Sequence, residues 1–471
     1  MKKFYMLVFS LLFLSQSAVI AHAQDTDIQN ILKRLDTLEQ ENAALKAQVL
    51  TLQEKQMAAV PAPVSTPAAT PVVAAAAAPA GNFLQTKLKT ELYGYVALTA
   101  AYDQANAGSS SVLNSSTAIY QAPKQAVSAT GNAKHRDNLR ATAQDTRIGF
   151  NFTAPTTESG ANVTGNIEMD FSGNAGGFIK DATSANVTGS GTYFPRLRHA
   201  YLTFDQNKWG FTAGQTWDFF APIKADLLNC AALWRAGDFG YRHPEVYLTN
   251  KWVNIFGGKL TTKVGAIESE DPFQENSGTP VAGVYTSYNK KIFGVDSTFG
   301  VGGIYGKDSL DTLTAYGSHN IPIYATVVGL QLKFTDWLGF KTQGFTGSKL
   351  NSFMGGPGSS STLNLGLNDA GSTSTKGVRS TGGFMQLTYK PVKKVETNFG
   401  AGIDAVNNDA YFSSDRTSAI WSTNRSYFTN LKYNLTKEVV LAVEYQYLHT
   451  NYLDGMRSTD NRVQTTIYYK F

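Results

Sequence analysis

Residues 461–471 read NRVQTTIYYKF, and the stretch alternates strictly. Val463, Thr465, Ile467, Tyr469 and Phe471 fall on one face, and Arg462, Gln464, Thr466, Tyr468 and Lys470 on the other. A period of two is a strand with one apolar side. The pattern recurs upstream. In Arg147 to Thr153, Ile148, Phe150 and Phe152 oppose Arg147, Asn151 and Thr153. In Val163 to Phe171, Val163, Ile167, Met169 and Phe171 oppose Thr164, Asn166, Glu168 and Asp170. In Val395 to Asp404, Val395, Phe399, Ala401 and Ile403 oppose Glu396, Asn398 and Asp404. Sixteen such segments can be marked between 88 and 471, the second of them covering 138–153. Repeated strands of about ten residues with one apolar face are the signature of a transmembrane β-barrel.

The connections point the same way, because they alternate in length. Asp205 to Lys208, Asn254 to Gly257 and Leu435 to Lys437 are short; Asp103 to Asp137, Asp218 to His243 and Ser348 to Ser380 are long. Short turns at one end and long loops at the other is the wiring of bacterial outer-membrane barrels, and an even strand count returns both ends of the barrel to the periplasm. Trp209, Trp252, Trp337, Tyr389, Tyr433 and Phe471 stand at segment ends, where aromatic girdles meet the membrane interface. A bilayer cannot satisfy an open sheet edge, so the sheet must close. The expected fold is all-β, a 16-stranded antiparallel transmembrane β-barrel over residues 82–471, preceded by an N-terminal coiled-coil helix.

Composition excludes several alternatives. Of 471 residues only 16% are charged, against about a quarter in ordinary globular chains, while 42 are Gly. One cysteine, Cys230, rules out a disulfide framework within the chain. A net charge of +5, dispersed along the sequence, does not suit a nucleic-acid partner. No zinc, nucleophile-elbow, P-loop or EF-hand motif is present, so neither an enzyme nor a cofactor is expected.

The first 81 residues divide into three. Residues 1–23 read as a signal peptide, with Lys2 and Lys3, an apolar stretch and the Ala21-His22-Ala23 cleavage pattern. Residues 24–57 carry a heptad seam: Ile28, Leu35, Asn42 and Val49 fall on a, and Ile31, Leu38, Leu45 and Leu52 on d. Arg34 and Glu41 on g face Glu39 and Lys46 on e, which favours parallel self-association without deciding between dimer and trimer. Residues 58–81, with five Pro and no charge, read as an extended linker reaching about 60–70 Å.

Sixteen strands leave an aqueous lumen, so the expected activity is passive diffusion, with selectivity set at the narrowest section. The loop Asp218 to His243 holds Trp217, Phe219, Phe220, Trp234, Phe239 and Tyr241 at or near its ends, too much aromatic surface for open water. It is the candidate for folding inward, and it brings the pore candidates Lys224, Arg235 and Arg242. Parity sends Arg147 and Lys263 inward from the wall, and leaves Arg198 of the RLRHAY segment undecided. Eight inward cations (Arg147, Lys263, Lys333, Lys341, Lys390, Lys432, Arg462, Lys470) meet seven inward carboxylates (Asp145, Glu168, Asp170, Glu245, Glu396, Asp404, Glu444). Charge counting alone therefore does not establish an anion preference.

Several segments in order resemble the DcaP-like trimeric porins of the Gram-negative outer membrane. They are ELYGYVALTAAYD, DTRIGF, RLRHAYLTF with GQTWDFF, GYRHPEVYLT, TDWLGFKTQGFTGSKL, STGGFMQLTYKP, NRSYFTNLKYNLT and the stretch from Glu444 to Phe471. The coiled coil resembles that family's N-terminal extension. The resemblance implies a homotrimer with one pore per subunit, uptake of small anionic solutes including dicarboxylates, and constriction cations at Arg147, Arg198 and Arg242. Phe471 resembles the terminal aromatic read by barrel-assembly machinery. Outer-membrane lipid is then the other partner, with the coiled coil in the periplasm. The competing reading is an envelope-tethering or adhesive barrel whose coiled coil carries the main role.

Overall fold

The computed structural model describes residues 88–104, 121–122, 137–173, 194–229, 233–269, 277–309, 320–357, 377–407 and 421–471. The signal peptide, the seam from Ile28 to Leu52, the linker and Cys230 lie outside the described residues.

Seventeen strands follow one another: β1 Lys89–Asp103, β2 Asn138–Thr142, β3 Arg147–Thr153, β4 Asn162–Gly173, β5 Phe194–Gln206, β6 Trp209–Trp217, β7 Arg242–Ile255, β8 Gly258–Ile267, β9 Val281–Ile292, β10 Val295–Ser309, β11 Asn320–Lys333, β12 Leu338–Ser348, β13 Arg379–Val392, β14 Val395–Val406, β15 Trp421–Asn434, β16 Val439–Tyr452 and β17 Arg457–Lys470. From β3 to β17 each pairs antiparallel with the next. The ring closes through β1, which pairs with β17 on one side and with β2 and β3 on the other.

The barrel has sixteen staves, because β2 and β3 share one. Here the uninterrupted segment expected over 138–153 is corrected. Between the pairs Thr99–Thr142 and Tyr95–Arg147, β1 advances four residues and its partner five. The Thr146 hydroxyl takes over as acceptor for the Ala97 amide at 3.1 Å. One extra residue therefore kinks the stave and turns Asp145 toward Thr99, whose hydroxyl donates to it at 3.0 Å.

The last strand shows how alternation becomes architecture. Val463, Ile467 and Tyr469 are 42%, 51% and 54% exposed, whereas Arg462, Gln464 and Thr466 are 1%, 0% and 2%. Apolar side chains face out and polar ones face in, the reverse of a water-soluble protein and the requirement of a wall dissolved in lipid. Trp209, Trp252, Phe256, Phe293, Trp337, Tyr389 and Phe471 are exposed at the short-turn end, forming an aromatic rim.

Candidate pore constriction

The lumen is not filled by water alone. The described parts of the segment between β6 and β7, 218–229 and 233–241, fold into the barrel. The segment's two ends are tied by one carboxylate: Asp218 accepts from the Tyr241 amide at 2.7 Å and stands 2.6 Å from His243 Nδ1. Phe219, Phe220 and Phe239 are buried with Ile267, Val281, Ile304, Ile323, Val327 and Phe345, which face inward from β8 to β12. Phe239 stacks on Phe345 with centroids 4.5 Å apart. A second inward segment, 349–357, supplies Leu350 and Phe353 to the same core. It also accepts from the first, from the Gly240 amide at Phe353 (2.7 Å) and the Arg235 amide at Met354 (2.9 Å). Toward the long-loop ends of β8 to β12 the interior is filled, because the loop aromatics need cover and the wall offers Ile, Val and Ala there.

The loop then crosses to the opposite wall. The amides of Leu228 and Asn229 donate to Glu444 at 2.7 and 3.0 Å. Gln464 donates to the Leu228 carbonyl, and Asn430 to the Asp226 carbonyl. Asp226 is held by Lys341 at 2.6 Å and by Gln386 at 2.9 Å. Burial pushes the Asp226 carboxyl up, but Lys341 and Gln386 outweigh it and hold the group below the ordinary carboxylate range. Asp238 behaves oppositely: complete burial raises it despite Lys224 nearby. Glycines let loop backbone and wall approach. Gly237 has φ +117°, and a Cβ there would run into the Gly383 carbonyl.

Four of the six sequence-predicted cations meet beside this loop. Arg242 is buried, with its guanidinium 4.6 Å from the Trp217 ring centroid and 4.5 Å from Tyr241. One nitrogen donates to the Tyr241 hydroxyl at 3.0 Å, while Nε and Nη1 have no hydrogen-bond partner among the described residues. Lys224 stands over the same Trp217 at 5.5 Å and donates to the Phe239 and Gly240 carbonyls. Arg198 binds Glu168 at 2.6 Å and Asp170 at 2.9 Å. Arg147 lies over Tyr95 at 5.4 Å and 3.9 Å from Glu168. Arg147, Arg198 and Arg242 all act electrostatically on His199, so they share one locality.

The undecided parity of Arg198 is resolved by a second irregularity. Glu168 pairs with His199 and Met169 with Leu197, so Arg198 is an extra residue in β5. The bulge turns both Arg198 and His199 inward, as bulges near functional sites do. Arg196, bound to Asp170 at 2.6 Å, joins the cluster and was not among the predicted residues. The other two predicted cations go elsewhere. Arg235 donates to the carbonyls of Asn351 and Gly356, both at 3.3 Å, and clamps the two inward segments together. Lys263 stands apart on β8, 5.0 Å from the Tyr247 ring. The 349–357 segment was also missed, although Leu350 and Phe353 carry the same signal as the aromatics of 218–241.

Burial alters the balance of charge. Of the seven carboxylates expected inward, Glu245, Asp404 and Glu444 are 4%, 0% and 1% exposed. Glu245 accepts from the Phe219 amide, Asp404 from Gly356 and Glu444 from Leu228 and Asn229, so each serves as a dock for an inward segment. Glu168 and Asp170 are covered by Arg198 and Arg196. Open space remains on the short-turn side, and two parts of it matter here. One, of about 300 Å³, is bordered by Tyr95, Asp145, Arg147, Lys432, Tyr468 and Lys470 below Leu227 and Leu228. The other, of about 660 Å³, lies beneath β8 to β14.

This architecture has known counterparts. The structure aligns with the outer membrane channel DcaP of Acinetobacter baumannii at a TM-score of 0.59, covering 82% of this chain and 97% of that one at 20% identity. The barrel has the DcaP fold. The anion-selective porin of Comamonas acidovorans aligns at a TM-score of 0.49 and 13% identity, over 82% of this chain and all of that one. Pseudomonas putida OprB gives 0.47 and 12%, over 81% and 94%. No family model and no curated protein matches the sequence. At 20% identity the likeness to DcaP is one of architecture, and the chemistry of the lumen has to be read from this chain's own residues.

Proposed function

We propose that this chain is an outer-membrane porin, a passive water-filled channel that favours small anions such as dicarboxylates. One observation carries the reading. Beside the inward loop Arg147 and Arg196 keep exposed surface, while Glu168 and Asp170 lie beneath arginines and Glu245, Asp404 and Glu444 dock the inward segments. Arg147 retains 32% side-chain exposure and Arg196 27%, against 9% for Glu168 and 3% for Asp170. A passing anion thus meets Arg147 and Arg196, with the buried Arg198 and Arg242 behind them. Such a wall attracts anions without a deep well, as conduction requires.

The homotrimer implied by the family resemblance would be assembled through the seam from Ile28 to Leu52, with the outer-membrane lipid around it. Phe471 ends the closing strand and is the feature for barrel-assembly machinery to read.

Planar-bilayer recording tests the proposal. Purified protein should open stable, unitary channels, and its reversal potential in a KCl gradient should take the sign of chloride preference. Silent membranes end the channel reading, and a potassium preference ends the anion part. Deleting residues 24–81 separates a porin from an envelope tether. Conductance per barrel should survive, whereas a tethering role would be lost with the coiled coil.

A further inference from the structure

The larger open space sits away from the arginine cluster, on the short-turn side, and its lining is unusual. Lys259, Lys290, Lys291, Lys333, Lys341 and Lys390 border it, with only Asp226, Asp296 and Glu396 as carboxylates. Lysines this dense repel one another, so a space lined by more cations than carboxylates has a need for negative charge. The internal pairings meet it only in part. Lys341 binds Asp226 at 2.6 Å, Lys390 binds Glu396 at 2.9 Å and Lys333 binds Asp336 at 2.7 Å, but Lys432 also draws on Glu396, at 3.4 Å, and Lys290 finds only the Phe256 carbonyl, at 2.8 Å, among the described residues. Lys291 is 3.9 Å from Asp296, a loose contact between two side chains about two-thirds exposed. Lys259 has no carboxylate within ion-pair distance among the described residues.

The placement is systematic. The staves β8, β9, β11, β12 and β13 each aim a lysine inward near their short-turn ends, at 259, 291, 333, 341 and 390. Neutral polar groups stand between them: Asn289, Ser297, Thr298, Gln331 and Thr388. Strand neighbours lie about 4.8 Å apart, so lysines on adjacent staves are close enough to reach one small polyanion together.

We infer that this vestibule is a binding site for a polyvalent oxyanion, a small solute bearing two or more phosphate or carboxylate groups, held at the short-turn mouth after or before passage through the constriction. The inference deepens the anion-porin reading and rests on it. A site in series with the constriction, on its short-turn side, raises the local concentration of polyvalent anions there and is reached first from that side.

The test uses inorganic tripolyphosphate and, in a separate arm, a tricarboxylate such as citrate. Binding to the purified full-length protein in detergent is measured by titration calorimetry, and block of chloride current is measured with the anion added to either side. We expect saturable binding, block from one side only, and relief by added salt. Combined substitution Lys259→Gln, Lys291→Gln and Lys390→Gln should weaken binding about tenfold or more. Lys259→Gln alone, which disturbs no ion pair, should weaken it measurably in a protein that keeps its heat-modifiable barrel. Tripolyphosphate binding with no citrate binding assigns the site to phosphates, and the reverse to carboxylates. Binding unaltered by the substitutions, or equal block from both sides, overturns the inference. A protein that binds but never conducts refutes the porin reading and leaves the site standing; one that conducts anions but binds neither probe does the opposite.

Discussion

Glu444 is the most exacting place to perturb the constriction, because one side chain holds the loop tip across the lumen. It accepts from the Leu228 amide at 2.7 Å, the Asn229 amide at 3.0 Å and Asn430 at 3.0 Å. Replacing it with alanine leaves the Leu228 and Asn229 amides without an acceptor, while Asn430 keeps the Asp226 carbonyl. A buried donor without a partner costs about 1–3 kcal/mol. Lumen water can reach the freed amides once the tip lifts, so the lower bound applies, about 2 kcal/mol in all. That corresponds to a shift of roughly 30-fold between docked and released tip. Gln464, Asn430 and Lys341 still hold their own partners, so the loop should hinge rather than leave. The expected record for Glu444→Ala is a larger and noisier single-channel conductance with a weaker anion preference. Glu444→Gln keeps one acceptor oxygen and should fall between. Thermal unfolding should move little, since the wall strands pair without the loop. Unitary conductance, noise and reversal potential identical to the parent protein would refute the claim that this loop defines the passage.

Three further outcomes follow from the same geometry. Arg147→Glu reverses a half-exposed cation beside Glu168, and at low salt two units of charge change the local anion occupancy about tenfold, read as a shift of reversal potential toward cation preference. Gly237→Ala adds a Cβ against the Gly383 carbonyl at φ +117° and should cost more than about 1 kcal/mol of loop docking, seen as faster proteolysis within 218–241. Asp226 is held below its ordinary value by Lys341, so its contribution to docking is present above the unfolded carboxylate value of about 3.9 and is lost as pH falls through the lower folded value. Asp238 is raised and acts with the opposite sign, its contribution present in acid and lost as pH rises through its folded value. Acidification should therefore loosen the tip at Asp226 while tightening the loop base, and Asp226→Asn should remove the acid-induced channel noise.

Much of this was legible in the residues themselves. The alternation of 461–471 gave the inward and outward faces of β17 correctly, because a period of two leaves no freedom once one side must meet lipid. The aromatics of 218–241 announced a loop that needs cover. Two features escaped for a physical reason. The extra residues near Asp145 and at Arg198 leave no mark in hydropathy, since a bulge exchanges one polar position for two. The role of Glu444 depends on an amide 215 positions away, at Asn229, and no local pattern encodes that distance.

The same long-range contacts bear on the proposed anion preference of a wall expected to carry eight cations and seven carboxylates. A buried carboxylate keeps its effect only at a distance, and the N–H dipoles pointing at it cancel part of its field. An exposed ammonium or guanidinium acts on an ion at contact, where about 1 kcal/mol per charge is available even in water. Beyond about 8–10 Å, salt screens what remains of the buried group. Selectivity then follows from which charges the loop covers, not from how many the wall contains. The two inward segments take anchors from the acids, the loop at Glu245 and Glu444 and the 349–357 segment at Asp404, because backbone amides need acceptors and lysines cannot supply them. Docking a strandless segment inside a polar barrel thus withdraws negative charge from the water path by necessity. Neutralising a covered acid such as Glu444 should act through loop position, whereas neutralising an exposed cation such as Arg147 should change the reversal potential and leave unitary conductance near its parent value at high salt.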